Sequence, residues 1–186
     1  LEILNFLIIY PLFMSLFWMV GTIIYIFFSA LWLTQKPNKE IGDEGISFLI
    51  PCFNEEETIK ATIKNLLALD FPNKQIIVIN DGSTDNSAKI IYELQKYLDF
   101  TFIDLEFNNG KANALNKGID YAKYDYVMGI DADTLIDDNA PYFMIEHFKK
   151  NPKLAAVTGN PRIRNKKSIL GKIQTIEYAS MVGSIK

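Results

Sequence analysis

In the stretch GIDADTLIDD, Gly129 to Asp138, an apolar run stops and two carboxylates follow, one residue apart. If the chain stays extended through Asp131 and Asp133, its period of two places both side chains on one side. Two carboxylates held so closely repel each other unless a cation lies between or beside them. A hard divalent ion with oxygen ligands, Mg²⁺ or Mn²⁺, suits such a pair, and such ions commonly complete their shell with substrate phosphates. The chemistry predicted for Asp131 and Asp133 is therefore the holding of a diphosphate through a metal. With twelve aspartates in the chain, an Asp-x-Asp arises by chance about once. What distinguishes this one is its place at the end of an apolar strand.

Lys111 points the same way. NNGKANALN sets it at the start of a helix, after Gly110, where an ammonium and free backbone amides can meet anionic oxygen. A solvated first-turn lysine is the plainer alternative. The stretch is not a Walker loop, because residue 105 is Leu and Ala112 stands where Ser or Thr is required, and the chain has no Gly-x-Gly-x-x-Gly fingerprint. Asp81 closes another apolar run in VINDGSTD. A carboxylate there can accept hydrogen bonds from a base or ribose; an Asx turn with Gly82 is compatible with that role. Asp85 is read as the cap of the next helix. Cys52, the single cysteine, is read as a packing residue, and His147 has no second histidine with which to share a metal.

These residues gather only if the intervening elements bring them to one edge. ISFLI, QIIVIN, FTFIDL and YDYVMGI read as strands. Between them, NEEETIKATIKNLLAL reads as a helix capped by Asn54, with three glutamates in its first turn and Ile59, Ile63, Leu66 and Leu67 on one face. DGSTDNSAKIIYELQKY and NNGKANALNKGIDYA read as a loop and helix each, and a further helix is expected over Asn139 to Lys150. Strands separated by helices of this length pair in parallel through right-handed crossovers. The expectation is an α/β sheet of at least four parallel strands with helices on both faces. Ligands bind such sheets outside the carboxyl ends of the strands. Here those ends read PCFNE, NDGSTD, EFNNGK and DADT.

Ahead of the sheet, Ile3 to Leu33 carries no ionisable group apart from tyrosine phenols. It exceeds the ~20 residues needed to cross a bilayer and is too long for a signal peptide. Pro11 and Gly21 are candidate kinks, and Trp18 and Trp32 candidate interfacial anchors. Lys36 and Lys39 follow the span whereas only Glu2 precedes it, so the sheet is expected on the cytoplasmic side of the cell membrane. The predicted organisation is a transmembrane helix over residues 1–35, a polar linker over 36–45 with Pro37, Gly42 and Gly45, and an α/β domain over 46–186. A formal net charge of −3 argues against nucleic acid, which needs a basic face.

Taken together, SFLIPCFNEEETI, IIVINDGSTD, NGKANALNKG and YVMGIDADT resemble the family 2 glycosyltransferases in order and approximate spacing, over most of Ile46 to Thr134. The resemblance implies the GT-A fold: a Rossmann-like, mostly parallel sheet with flanking helices, here preceded by one transmembrane helix. NAPYFMIEHF and AAVTGNPRIRNKKSILGKIQTIEYAS extend the likeness to Lys186. Within the family they resemble bacterial membrane enzymes that polymerise N-acetylglucosamine from UDP-GlcNAc for a biofilm matrix. The resemblance implies that Pro51, Phe53 and Glu55 line a uridine pocket with Asp81. Lys111 would contact the diphosphate, Asp131 would lie against the UDP moiety, and Asp133 would bind the bridging Mg²⁺ or Mn²⁺. Implied partners are UDP-GlcNAc, the lipid bilayer, a polysaccharide acceptor and membrane partner subunits.

The same resemblance predicts elements that this sequence lacks. The family's general base is an aspartate in a Glu-Asp or Thr-Glu-Asp motif, followed by Gln-x-x-Arg-Trp, and neither motif is present. After the donor loop the acidic residues are Asp137, Asp138, Glu146 and Glu177, so no catalytic residue is assigned. The chain is expected to be a truncated, donor-binding half that does not polymerise alone. The alternatives are a non-catalytic nucleotide-sugar-binding protein, or a related cellulose, hyaluronan or lipid-phosphate sugar transferase. Arg162, Arg164, Lys166 and Lys167 read as a solvated basic loop, and Ile169, Ile173 and Ile176 as one face of a helix.

Overall fold

The computed structural model describes residues 2–32, 37–40, 42–159 and 171. The readings made for Arg162, Arg164, Lys166, Lys167, Ile169, Ile173, Ile176 and Glu177 lie outside the described residues, as do those for residues 33–36 and 41. Two compact units divide the chain, one of them Pro37–Leu154 and the other containing the N-terminal helix.

That helix, α1 (Glu2–Trp32), runs without interruption through Pro11 and Gly21. Its Ile8–Phe28 segment has a mean hydropathy of 1.9 and is long and apolar enough to cross a membrane, by length and composition. Two hydroxyls within it bond to its own backbone: Ser15 Oγ donates to Leu12 O at 2.9 Å and Thr22 Oγ1 to Trp18 O at 2.8 Å. Such internal bonding is what an apolar solvent demands of a polar group.

Within Pro37–Leu154 the chain alternates β1 (Ile46–Cys52), α2 (Ile59–Ala68), β2 (Lys74–Asp81), α3 (Ser87–Gln95), β3 (Thr101–Leu105), α4 (Lys111–Ile119), β4 (Tyr126–Gly129) and α5 (Ala140–Lys150). The strands form one sheet in the order β3-β2-β1-β4, every pairing parallel. From β1 the chain steps outward to β3, then returns past both neighbours to the far side of β1. Right-handed crossovers require helices of the outward leg and the returning leg to cover opposite faces. The core divides accordingly. Ile46, Phe48, Ile50 and Cys52 face a cluster with Ile63 of α2, Ile91 of α3 and Ile145 of α5, whereas Leu49, Ile77 and Ile79 pack against Ala114 of α4. A strand covered on both faces needs a continuous apolar run, which is why ISFLI shows no alternation.

The approach of α4 is close because it carries Gly118 at the contact. A Cβ there would collide with Leu49 Cδ2 and come within 2.9 Å of Ile79 Cδ1. The reversal of strand order between β1 and its two neighbours opens a crevice at their carboxyl ends, where the four loops of interest converge.

Two sequence readings are corrected here. Helix α2 starts at Ile59 rather than Asn54, so the three glutamates precede it. Asn54 instead adopts φ 55°, a left-handed conformation that asparagine tolerates better than most residues. In the linker, Lys39 Nζ donates to Asp70 Oδ2 at 3.1 Å and Lys149 Nζ pairs with Glu44 Oε1 at 2.8 Å, so both residues are tied to the sheet unit.

Candidate functional site

A cavity of about 370 Å³ occupies the carboxyl edge of the sheet, within the range of small-molecule sites. Pro51, Phe53, Glu55, Asp81, Lys111, Asp131 and Asp133 all line it, together with Cys52, Asn108, Gly110 and Ala132. The seven residues singled out from the sequence thus meet at one place, each delivered by the end of a strand, the loop that follows one or the start of a helix.

The first wall is the end of β1. Cys52 is buried beneath it, and burial pushes its thiol up to about 11 against the pull of a hydrogen bond from Ser87. A thiol so held is protonated at neutral pH and packs as an apolar group, as the sequence suggested. Phe53, at 44% exposure, presents an aromatic ring to the cavity side. Glu55 follows, its Oε2 accepting from Thr58 Oγ1 at 2.7 Å.

Asp81 forms the second wall as the last residue of β2, with only 3% exposure. It does not make an Asx turn. Its Oδ1 accepts from the backbone N–H of Asn109 at 3.0 Å, which pins the loop before α4. Asn80 serves the local turn instead, accepting from Ser83 N at 3.3 Å. Gly82, at φ 65°, lets the chain leave β2 beside that loop: a Cβ would come within 2.6 Å of Asn108 N. Asp85 does act at the start of α3, with Oδ1 accepting from Ser87 N at 2.9 Å. Burial raises its pKa, but hydrogen bonds from Ser87 and Glu56 outweigh that and hold the carboxyl below its usual range.

Gly110, at φ 86°, precedes α4 and places Lys111 at the helix start. Opposite lies the turn after β4. Asp131 and Asp133 do not continue the strand. Thr134 N donates to Asp131 O at 3.0 Å, closing a turn in which Ala132 is 5% exposed while both aspartates are exposed. The segment is a turn rather than an extended strand, held where Ala132 packs into the core and its carbonyl accepts from Thr62 Oγ1 of α2 at 2.7 Å, yet both aspartates lie on one side, as expected of them. Anchoring the middle residue inward turns its neighbours outward. Both carboxylates still reach the cavity, and Lys111 Nζ donates to Asp131 Oδ1.

Among the described residues no group of three or more His, Cys, Asp or Glu could hold a metal ion. The two carboxylates of the turn are hard oxygen donors, and they fit a divalent ion only if a ligand supplies further oxygens. His147 lies in α5.

Sequence reasoning missed the contacts that tie the loops after β1 and β2. Asn54 N donates to Ser83 Oγ at 3.0 Å, Glu55 N to Ser87 Oγ at 2.8 Å and Glu56 N to Asp85 Oδ2 at 3.1 Å. In return Thr84 N donates to Asn54 Oδ1 at 2.8 Å and Asn86 N to Glu56 Oε2 at 2.9 Å. Each of these side chains is equally suited to a local cap or turn, so the sequence carries no sign of the longer-range partner.

Residues 47–183 match the family described as Glycosyl transferase family 2. A poly-beta-1,6-N-acetyl-D-glucosamine synthase of Staphylococcus epidermidis is 61% identical over 191 residues, covering 100% of this chain and 46% of that protein. The synthase of Staphylococcus aureus strain COL is 58% identical over 189 residues with the same coverage. The chain therefore spans about half the length of the curated relatives it matches. Among solved structures, a mannosyltransferase, PcManGT from Pyrobaculum calidifontis, in complex with GDP-Man and Mn²⁺, superposes with TM-score 0.59 at 20% identity, covering 81% of this chain and 46% of that one. S. aureus TarS 1–349 in complex with UDP-GlcNAc gives 0.52 at 23% identity, covering 66% of this chain and 38% of that one. At these identities the likeness is one of fold.

Proposed function

The chain belongs to glycosyl transferase family 2, with the parallel GT-A arrangement of sheet and helices, and from that premise we propose that it is the donor-binding part of a membrane-anchored hexosyltransferase. The donor in this reading is UDP-GlcNAc, and the acceptor a growing β-linked polysaccharide of N-acetylglucosamine of the biofilm-matrix kind. Support comes from 61% identity along the whole chain to a synthase named for that polymer. The observation that carries the reading is the meeting of Asp81, Lys111, Asp131 and Asp133 in one cavity at the switch point of the sheet.

In this reading Pro51, Phe53 and Glu55 form the nucleoside wall. Asp81, with one oxygen engaged by Asn109, offers its other oxygen to the base or ribose. Breaking the bond at the anomeric carbon leaves negative charge on UDP. Lys111 is placed at the cavity edge to exchange Asp131 for a phosphate oxygen and to stabilise that charge. Asp131 and Asp133 would hold Mg²⁺ or Mn²⁺, and the ion would supply positive charge to stabilise the departing diphosphate. No residue of this chain is assigned to deprotonate the acceptor hydroxyl. Helix α1 would anchor the chain in the cell membrane, with membrane partner subunits beside it. Lys36 and Lys39 support a cytoplasmic position for the sheet.

The test is a calorimetric titration of the full chain in detergent with UDP-GlcNAc and with GDP-mannose, each with and without Mn²⁺. Selective binding of the uridine donor, strengthened by the metal, is expected. Failure of a demonstrably folded chain to bind UDP-GlcNAc, or equal binding of both donors, would overturn the reading.

A further inference from the structure

Among the described residues, Asn54 is the only non-glycine residue with positive φ. It does not line the cavity, yet both of its neighbours, Phe53 and Glu55, do. A left-handed residue between two cavity residues reverses the chain locally and so decides how both neighbours are presented. The conformation is held from the next loop: Thr84 N and Thr84 Oγ1 donate to Asn54 Oδ1 at 2.8 and 3.3 Å, and Asn54 N donates to Ser83 Oγ at 3.0 Å. Ser83 and Thr84 lie just after Asp81, which forms the opposite wall.

We propose that Asn54 is a positioning residue for the nucleoside end of the site: its left-handed turn and its bonds to Ser83 and Thr84 set the separation between the Phe53–Glu55 wall and Asp81. This inference rests on the donor-site reading above. The required chemistry is narrow. The residue at position 54 must tolerate positive φ and also offer a short side-chain acceptor, a combination met by asparagine and aspartate. Glycine meets only the first condition. The diphosphate end of the site, at Lys111 and Asp133, is carried by the start of α4 and the turn after β4, whose hydrogen bonds are to other partners than Asn54, Ser83 and Thr84.

The experiment compares the full chain in detergent with Asn54→Gly, Asn54→Asp and Ser83→Ala, measuring the Kd of UDP and of inorganic pyrophosphate in Mn²⁺ and the thermal midpoint. In Asn54→Gly the Kd of UDP is expected to rise about tenfold, as for the loss of a hydrogen-bonded constraint, while that of pyrophosphate stays within about twofold. Asn54→Asp restores the ratio of the two affinities, because an added charge acts on both diphosphates alike. Ser83→Ala, which removes the acceptor of Asn54 N, shifts the ratio in the same direction as Asn54→Gly and carries the test should that variant fail to fold. An unchanged ratio in folded Asn54→Gly and Ser83→Ala, with UDP still bound by the parent chain, would overturn the inference alone. Absence of UDP binding by the parent chain would overturn the donor-site reading and the inference with it.

Discussion

Lys111 Nζ donates to the Asp131 carboxylate, joining the start of α4 to the turn after β4 at the cavity edge. The two side chains are 61% and 58% exposed, and a pair so open to water contributes about 0–1 kcal/mol to stability. Neither α4 nor the turn depends on it, since Ala114 and Ala132 are packed independently in the two faces of the core. Lys111→Met is therefore expected to lower the thermal midpoint by less than about 4 °C. UDP-GlcNAc binding should weaken by about tenfold or more, because a charge-assisted bond to phosphate is lost. Scanning fluorimetry beside titration checks both, and a large loss of midpoint would mean that the lysine supports the fold instead.

The two aspartates of the turn differ in their surroundings, since among the described residues Asp131 already faces an ammonium while Asp133 has only Thr134 Oγ1 donating to it at 3.3 Å. Asp133 is the carboxylate more available to a divalent ion. Titration of Asp133→Asn with UDP-GlcNAc should show binding that no longer strengthens on adding Mn²⁺, whereas Asp131→Asn should retain part of that response. A full Mn²⁺ response in Asp133→Asn would remove the metal role proposed for it.

The elements were legible in the sequence because each buried strand is a short apolar run and each helix carries an apolar face. The crevice was legible because polar residues are concentrated where those runs end. What was not legible is which polar group answers which. Asn54 looks like a helix cap, but its acceptor is taken by Thr84, thirty residues on, and the helix starts later. The Asp131–Asp133 pair looks extended, but Thr134 N closes a turn onto Asp131 O while Thr62 of α2 holds the carbonyl of Ala132 between them. Local preference lost in both cases to a partner that only the tertiary fold supplies.

Gly82 follows Asp81 directly and adopts φ 65°, and a Cβ would meet the backbone of Asn108 and Phe107 at 2.6 and 2.7 Å. Left-handed backbone costs a non-glycine residue roughly 1–2 kcal/mol before any overlap, and a backbone neighbour cannot move aside as a side-chain tip could. Gly82→Ala should lower the thermal midpoint by about 5 °C or more. It should also weaken donor binding, because the displaced loop is the one that Asn109 pins to Asp81. Hydrogen exchange at the Asn109 amide reports the second effect directly, and unchanged protection there would rule it out.

Cys52 lies at 1% exposure under the nucleoside wall, and burial lifts its thiol from 9.0 to about 11. In the unfolded chain the same thiol ionises as pH passes about 9, while the folded chain keeps it protonated until about 11. A raised folded pKa therefore contributes stability that is complete below pH 9 and is lost progressively between 9 and 11. The loss is on the order of 2 kcal/mol. Urea unfolding of the full chain at pH 8, 9, 10 and 11 should show this decline, and Cys52→Ala should show a shallower one although its stability at pH 8 is already reduced by the cavity left behind. Iodoacetamide should modify the folded chain far more slowly than the urea-unfolded chain at pH 8. Parallel declines in the two chains, or rapid modification of the folded one, would show that the thiol is open to water.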